Sequence, residues 1–184
     1  MARTESAMLA LGTSAPDFVL TNVVTEDQVS TQAITGPKGL LVMFICRHCP
    51  FVKHLEKALA ELGHDYEGSS VGIVAISSND AANYPDDAPA SLAGQARNLG
   101  FTFPYLFDET QEVARAYDAQ CTPDFFLFDN GLKLVYRGQF DDSRPGSAIP
   151  VTGKDLRAAL DALIAGAPID PNQRPSLGCN IKWK

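Results

Sequence analysis

The sequence predicts an α/β protein in which a central mixed β-sheet is flanked by helices and preceded by an N-terminal β-hairpin extension. Three observations predict it. The runs Leu40 to Ile45 and Val71 to Ser77 are apolar without alternation, the pattern of strands covered on both faces. Between them Phe51, Val52, Leu55, Leu59 and Leu62 recur at helical spacing, so a strand, helix, strand order and a parallel pairing are expected. Asp124 to Phe128 and Leu132 to Tyr136 then flank Asn130-Gly131, a strong hairpin signal that adds two antiparallel strands.

The elements follow in order. Ala15 to Leu20 and Gln28 to Ser30 read as two short strands around the polar turn Thr25-Glu26-Asp27, the hairpin extension of about residues 15–35. Gly36-Pro37-Lys38-Gly39 punctuates before the first buried strand. Pro50 suits the first turn of the helix that follows, and Gly63 is its expected end. Asn79 to Pro89 reads as a loop, Ser91 to Leu99 as a helix closed by Gly100, Phe103 to Phe107 as extended, and Thr110 to Tyr117 as helical. Thr152-Gly153-Lys154-Asp155 has capping-box form and opens a last helix carrying Leu156, Leu160 and Leu163 and ending at Gly166. A Pro-rich tail of about residues 167–184 remains.

At 184 residues, 45% hydrophobic and 20% charged, the chain can bury a full core and is expected to form one domain over 1–184. A net charge of −7 argues against a nucleic-acid surface. No stretch is apolar enough to span a bilayer, and Met1 to Leu11 does not read as a signal peptide, so no membrane partner and a cytoplasmic location are expected. Four cysteines are too few for a disulfide scaffold.

Chemistry concentrates in Cys46-Arg47-His48-Cys49-Pro50, where the first buried strand gives way to a helix. Unpaired N–H groups and the positive end of the helix dipole favour thiolate over thiol there. Arg47 and His48, between the cysteines, are the expected redox-tuning residues, with His48 depressing the pKa of the more exposed thiol, taken to be Cys46. A zinc site would need a second close pair of ligands; Cys121 and Cys179 stand alone and His54 and His64 are not at ligand spacing, so no metal is assigned.

The element order, with Cys-X-X-Cys opening the first long helix, resembles the thioredoxin fold. Thr122-Pro123, before the strand Phe125 to Phe128, resembles the Thr-Pro in which that fold holds a cis-proline opposite the active-site cysteines, lining the substrate groove. Leu11 to Leu20, His48 to His54 and Pro175 to Lys184 resemble the peroxiredoxin-like bacterial redoxins of the alkyl hydroperoxide reductase/thiol-specific antioxidant family. Two departures bear on mechanism. Cys46 stands three residues before Cys49, where peroxiredoxins place a threonine or serine, and no arginine accompanies Cys121-Thr122-Pro123-Asp124. Leu40 to Ile45 also lacks the buried aspartate that thioredoxins use to take up a proton.

The reading favoured on these grounds is a thiol–disulfide oxidoreductase without a cofactor. Cys46 attacks and Cys49 resolves, with thiol or disulfide substrates and a reductant of thioredoxin or glutathione type. The alternative is a thiol peroxidase in which Cys49 is oxidised by peroxide and Cys46 or Cys179 condenses with it, Cys179 being read either as a mobile resolving thiol in the tail or as an ordinary cysteine tucked under the tail with Ile181 and Trp183. A third reading is a redox-inactive module that grips extended peptides by strand addition at the cis-proline groove. Cys121 is expected to face the core.

Overall fold

A computed structural model describes residues 3–184 of the protein. Met1 and Ala2, the first residues of the segment read for a signal peptide, lie outside it. Ten strands are named in chain order: β1 Arg3–Glu5, β2 Val19–Asn22, β3 Gln28–Ser30, β4 Gly39–Phe44, β5 Val71–Ser77, β6 Tyr105–Phe107, β7 Cys121–Thr122, β8 Asp124–Asp129, β9 Leu134–Gly138 and β10 Leu177–Asn180. The helices are α1 Thr31–Ile34, α2 Pro50–Asp65, α3 Pro89–Leu99, α4 Glu112–Ala116 and α5 Lys154–Ala165, with a 3-10 turn at Pro85–Asp87. The main sheet has the order β3-β2-β6-β5-β4-β8-β9, and β1, β10 and β7 form a small second sheet. In the main sheet β4 pairs with β5 in parallel and with β8 in antiparallel register.

The missing alternation in β4 has a direct cause. Leu41 and Met43, with Ile45 just beyond the strand, pack with Val52, Leu55, Leu59 and Leu62 of α2 and with Leu156 and Leu160 of α5. Leu40, Val42 and Phe44 point the other way, into a cluster with Ala114, Tyr117, Phe126 and Phe128. Both faces are therefore dry, and each such side chain contributes about 1.5–3 kcal/mol by its burial. This double cover fixes the end of β4, and hence the start of α2, at the middle of the sheet.

Several local expectations are corrected. The first hairpin strand begins at Val19, because Ala15 to Phe18 pass beside the β9 end of the sheet without pairing as a strand. Gly63 does not end α2, which runs to Asp65; a Cβ there would press within 3.0 Å of Phe103 and Thr102, so the glycine serves close packing. The capping box before α5 does not form. Gly153 is the N-cap, and the amides of Thr152 and Gly153 each donate to Asp141 Oδ2 at 2.6 Å, a distant acid supplying the acceptor. The tail also holds a strand, β10, antiparallel to both β1 and β7.

Candidate active site

After Phe44 the chain leaves the sheet, and the Ile45 amide donates to the carbonyl of Ile76 at 3.0 Å. Residues 46–48 form the turn into α2, whose N-cap is Cys49 and whose first residue is Pro50. The missing N–H of Pro50 costs nothing there, and its fixed φ suits the first turn. Opposite this turn the Thr122–Pro123 peptide is cis. Thr122 meets both cysteines: its Oγ1 lies 3.3 Å from Cys46 Sγ, and its carbonyl accepts from the Cys49 thiol at 3.2 Å.

The turn is held by a residue that sequence reading assigned to a loop. Asp87, fully buried, accepts from the amides of Arg47 at 2.8 Å and His48 at 3.1 Å, from Asn79 Nδ2 at 2.8 Å, and from the His48 ring through Nδ1. His48 stacks on Tyr84 with ring centroids 5.3 Å apart. Arg47 points away, to Asp86 at 3.1 Å on the surface. Cys46 Sγ, a His48 ring nitrogen and an Asp87 oxygen lie within 4.8 Å of one another, a donor set a metal could use. Both Asp87 oxygens and His48 Nδ1 are already committed to hydrogen bonds, which leaves that set without a free carboxylate.

The expected order of the two thiols is reversed. Cys46 is not the more exposed sulfur; both cysteines are fully buried. Burial pushes the Cys46 thiol well up, and the Cys49 thiol and the Asp87 carboxylate push it further. The charge acting on Cys46 is thus negative, because the His48 ring that sequence reading assigned to Cys46 is turned onto Asp87. Cys49 moves the other way, down to about 5, as the neighbouring Cys46 thiol, then the Cys179 thiol and the backbone amides of Val52 and Cys179, offset its burial. The Val52 amide is one of the unpaired donors of the α2 N-terminus, so the helix acts on its N-cap sulfur rather than on the sulfur three residues earlier. The Thr122 carbonyl opposes ionisation of Cys49 and is outnumbered by these donors.

Cys179 is not a mobile tail thiol. It sits in β10, nearly fully buried, opposite Thr122 in the ladder, with its sulfur 2.8 Å from Cys49 Sγ. Burial and the Cys49 charge raise it to about 12. Gly178 is required beside it, since a Cβ would collide with the Thr122 carbonyl. Cys121 is buried as expected, its thiol directed at the Pro123 carbonyl at 3.6 Å. With β10 along one edge of β7, the strand position beside the cis-proline is taken by the chain itself.

Residues 11–137, well over half of the sequence, match the AhpC/TSA family. The chain belongs to the AhpC/TSA family. This AhpC/TSA protein is similar over 100% of its length, and 97% of the other chain, to the solved structure of an uncharacterized conserved protein from Geobacillus kaustophilus, with 55% identity and a TM-score of 0.98. It is 29% identical over 137 residues to thiol-disulfide oxidoreductase ResA of Geobacillus kaustophilus (strain HTA426), covering 73% of this chain and 74% of that protein. Its fold is that of thioredoxin-like proteins. A putative thiol:disulfide interchange protein DsbE from Chlorobium tepidum superposes with a TM-score of 0.65 at 19% identity, over 85% of this chain and 99% of that one. No helix among the described residues is long and apolar enough to cross a membrane.

Proposed function

We propose that this AhpC/TSA protein is a thiol–disulfide oxidoreductase working through Cys46 and Cys49, with no cofactor. The observation that carries the reading is the placement of Cys49 as the N-cap of α2, beside the cis-proline, with its thiolate stabilised and a protonated Cys46 next to it. The similarity to proteins named ResA supports the same reaction class. Cys49 thiolate attacks one sulfur of a substrate disulfide, the other substrate sulfur leaves as a thiolate that takes a proton from water, and a mixed disulfide remains. Cys46 then attacks Cys49, forming Cys46–Cys49, and its proton passes to the substrate sulfur that is released as a thiol. A reductant of thioredoxin or glutathione type restores the dithiol.

Peroxide is the second reading, favoured by the same depressed Cys49 and by the burial of both sulfurs, which a small oxidant penetrates more easily than a protein. The cavity beside Pro123, under Phe51 and Ser176, has a volume of only about 10 Å³. The test is competition on the reduced protein between a small aromatic disulfide and hydrogen peroxide. The disulfide is expected to react faster, because the site lacks an arginine on the cis-proline strand to stabilise developing charge on oxygen. Fast peroxide turnover that survives Cys46→Ser and vanishes in Cys49→Ser would replace the proposal by the peroxidase reading.

A further inference from the structure

The active-site turn and the C-terminal tail are built as one unit. Asn79 donates to Asp87, which clamps the turn, and its Oδ1 accepts from the Lys182 amide at 2.8 Å. Gln111 bonds the Lys182 carbonyl at 2.8 Å, the Asp80 amide donates to that carbonyl at 2.8 Å, and the Ile181 amide donates to Gln120. Lys182 Nζ sits over the Tyr84 ring that stacks on His48. The result of this bracing is that β10 runs antiparallel beside the residue before the cis-proline, and its one cysteine is delivered to Cys49 at 2.8 Å.

We propose that Cys179 is a third redox-active thiol of the site, which exchanges with an oxidised Cys46–Cys49 pair so that the oxidised protein holds its disulfide as Cys49–Cys179. The inference rests on the thiol–disulfide reading above. Cys179, as thiolate, attacks Cys49 Sγ; the Cys49–Cys179 bond forms, the Cys46–Cys49 bond breaks, and the electron pair leaves on Cys46 Sγ, which takes up the proton that Cys179 lost. No oxidant is consumed, since one disulfide replaces another. Oxidation of Cys49 itself arms the step. Burial, the first cause of the raised Cys179 thiol, remains, but the Cys49 hydrogen bond and charge that add to it disappear with the disulfide, while Lys182 continues to favour the thiolate.

Tryptic cleavage after Arg47 and Lys53 separates the two cysteines of the motif, so each disulfide has its own signature. The reduced protein is oxidised with an excess of a small aromatic disulfide, its remaining thiols are alkylated in denaturant, and linked peptides are identified by mass spectrometry. The expected result is a peptide linking Cys49 to Cys179 in the unmodified protein and in Cys46→Ser, lost in Cys179→Ser, where Cys46–Cys49 accumulates. A Cys46–Cys49 link alone, with Cys179 fully alkylated and Cys46→Ser halted at the mixed disulfide, overturns the inference and leaves the proposed function standing. Absence of any link at Cys49 in the unmodified protein overturns both.

Discussion

Cys46 and Cys49 sit three residues apart in one turn, share the neighbour Thr122 and are equally buried, yet one thiol is driven up and the other down. The difference comes from what each sulfur meets. Cys49 has the α2 N-terminus, a donor thiol on either side and no carboxylate; Cys46 has a buried acid and only a hydroxyl to offset it. Burial alone penalises charge on both. The local donors decide which one carries the negative charge, and they are set by a helix boundary on one side and by Asp87, forty residues away, on the other.

The largest test of this contrast is to remove each sulfur in turn. Cys49→Ser is expected to lower disulfide reduction by about three orders of magnitude or more, the scale on which loss of a nucleophile acts. Cys46→Ser should instead keep the first attack and lose only resolution by Cys46, so that its mixed disulfide is resolved by Cys179. Stopped-flow traces with intact-mass analysis separate the two. If Cys46→Ser loses the first attack and Cys49→Ser keeps it, the assignment is inverted.

A second test is pH. The thiolate absorbance near 240 nm that Cys49→Ser removes should titrate with a midpoint of about 5, against about 8.5 for a free thiol. The lowered folded-state value makes the unfolded chain bind more protons between those two points, so stability of the reduced protein rises with pH across the window. The contribution is complete above the unfolded value and is lost as pH falls through about 5. Urea titrations of the reduced protein and of Cys49→Ser should therefore diverge as pH rises from 5 toward 9. Parallel stability curves would show that Cys49 does not ionise early.

Asp87→Asn has an intermediate effect. An amide keeps an acceptor for the Arg47 and His48 amides but removes the negative charge beside Cys46, so the Cys46 thiol should fall toward its ordinary range while Cys49 stays put. The cost in stability is expected at about 1–3 kcal/mol, from imperfect pairing of buried donors. Alkylation rates against pH, resolved by peptide, measure both thiols. A Cys46 that does not move would mean that burial alone sets its value.

These contrasts were only partly legible in the chain. The sheet and its helices could be read from Leu40 to Ile45, Val71 to Ser77 and Asn130-Gly131, because a doubly covered strand and a tight turn write themselves in local pattern. Asp87 could not be read, since its partners are backbone amides and Asn79, and the only signal was a charged pair, Asp86-Asp87, after a proline. The Cys179 position depended on a four-residue strand whose pairing is wholly non-local, with Gly178 against the Thr122 carbonyl the single local trace. Asp124 was not legible as a buried acid either. It is buried with neither oxygen paired, and burial pushes it well up, but it alternates with Phe126 and Phe128 on the sheet face away from α2, so the acid nearest the thiols is Asp87.

The smallest expected effect isolates one sulfur through a residue that touches both. Thr122 meets Cys46 with its side-chain hydroxyl and Cys49 with its backbone carbonyl. Thr122→Val keeps the shape and the carbonyl and deletes only the hydroxyl. Since that hydroxyl favours the Cys46 thiolate, its loss should raise Cys46 still further. A net hydrogen bond of about 0.5–1.5 kcal/mol corresponds to a shift of up to about one pKa unit. The step that needs the Cys46 thiolate, resolution of the mixed disulfide, should slow by up to about tenfold at constant pH, and the first attack by Cys49 should not change. Single-turnover kinetics resolve the two steps. A slowed first attack, or a Cys49 midpoint that moves as far as that of Cys46, would show that the two thiols titrate as one unit and that the contrast between them belongs to the pair.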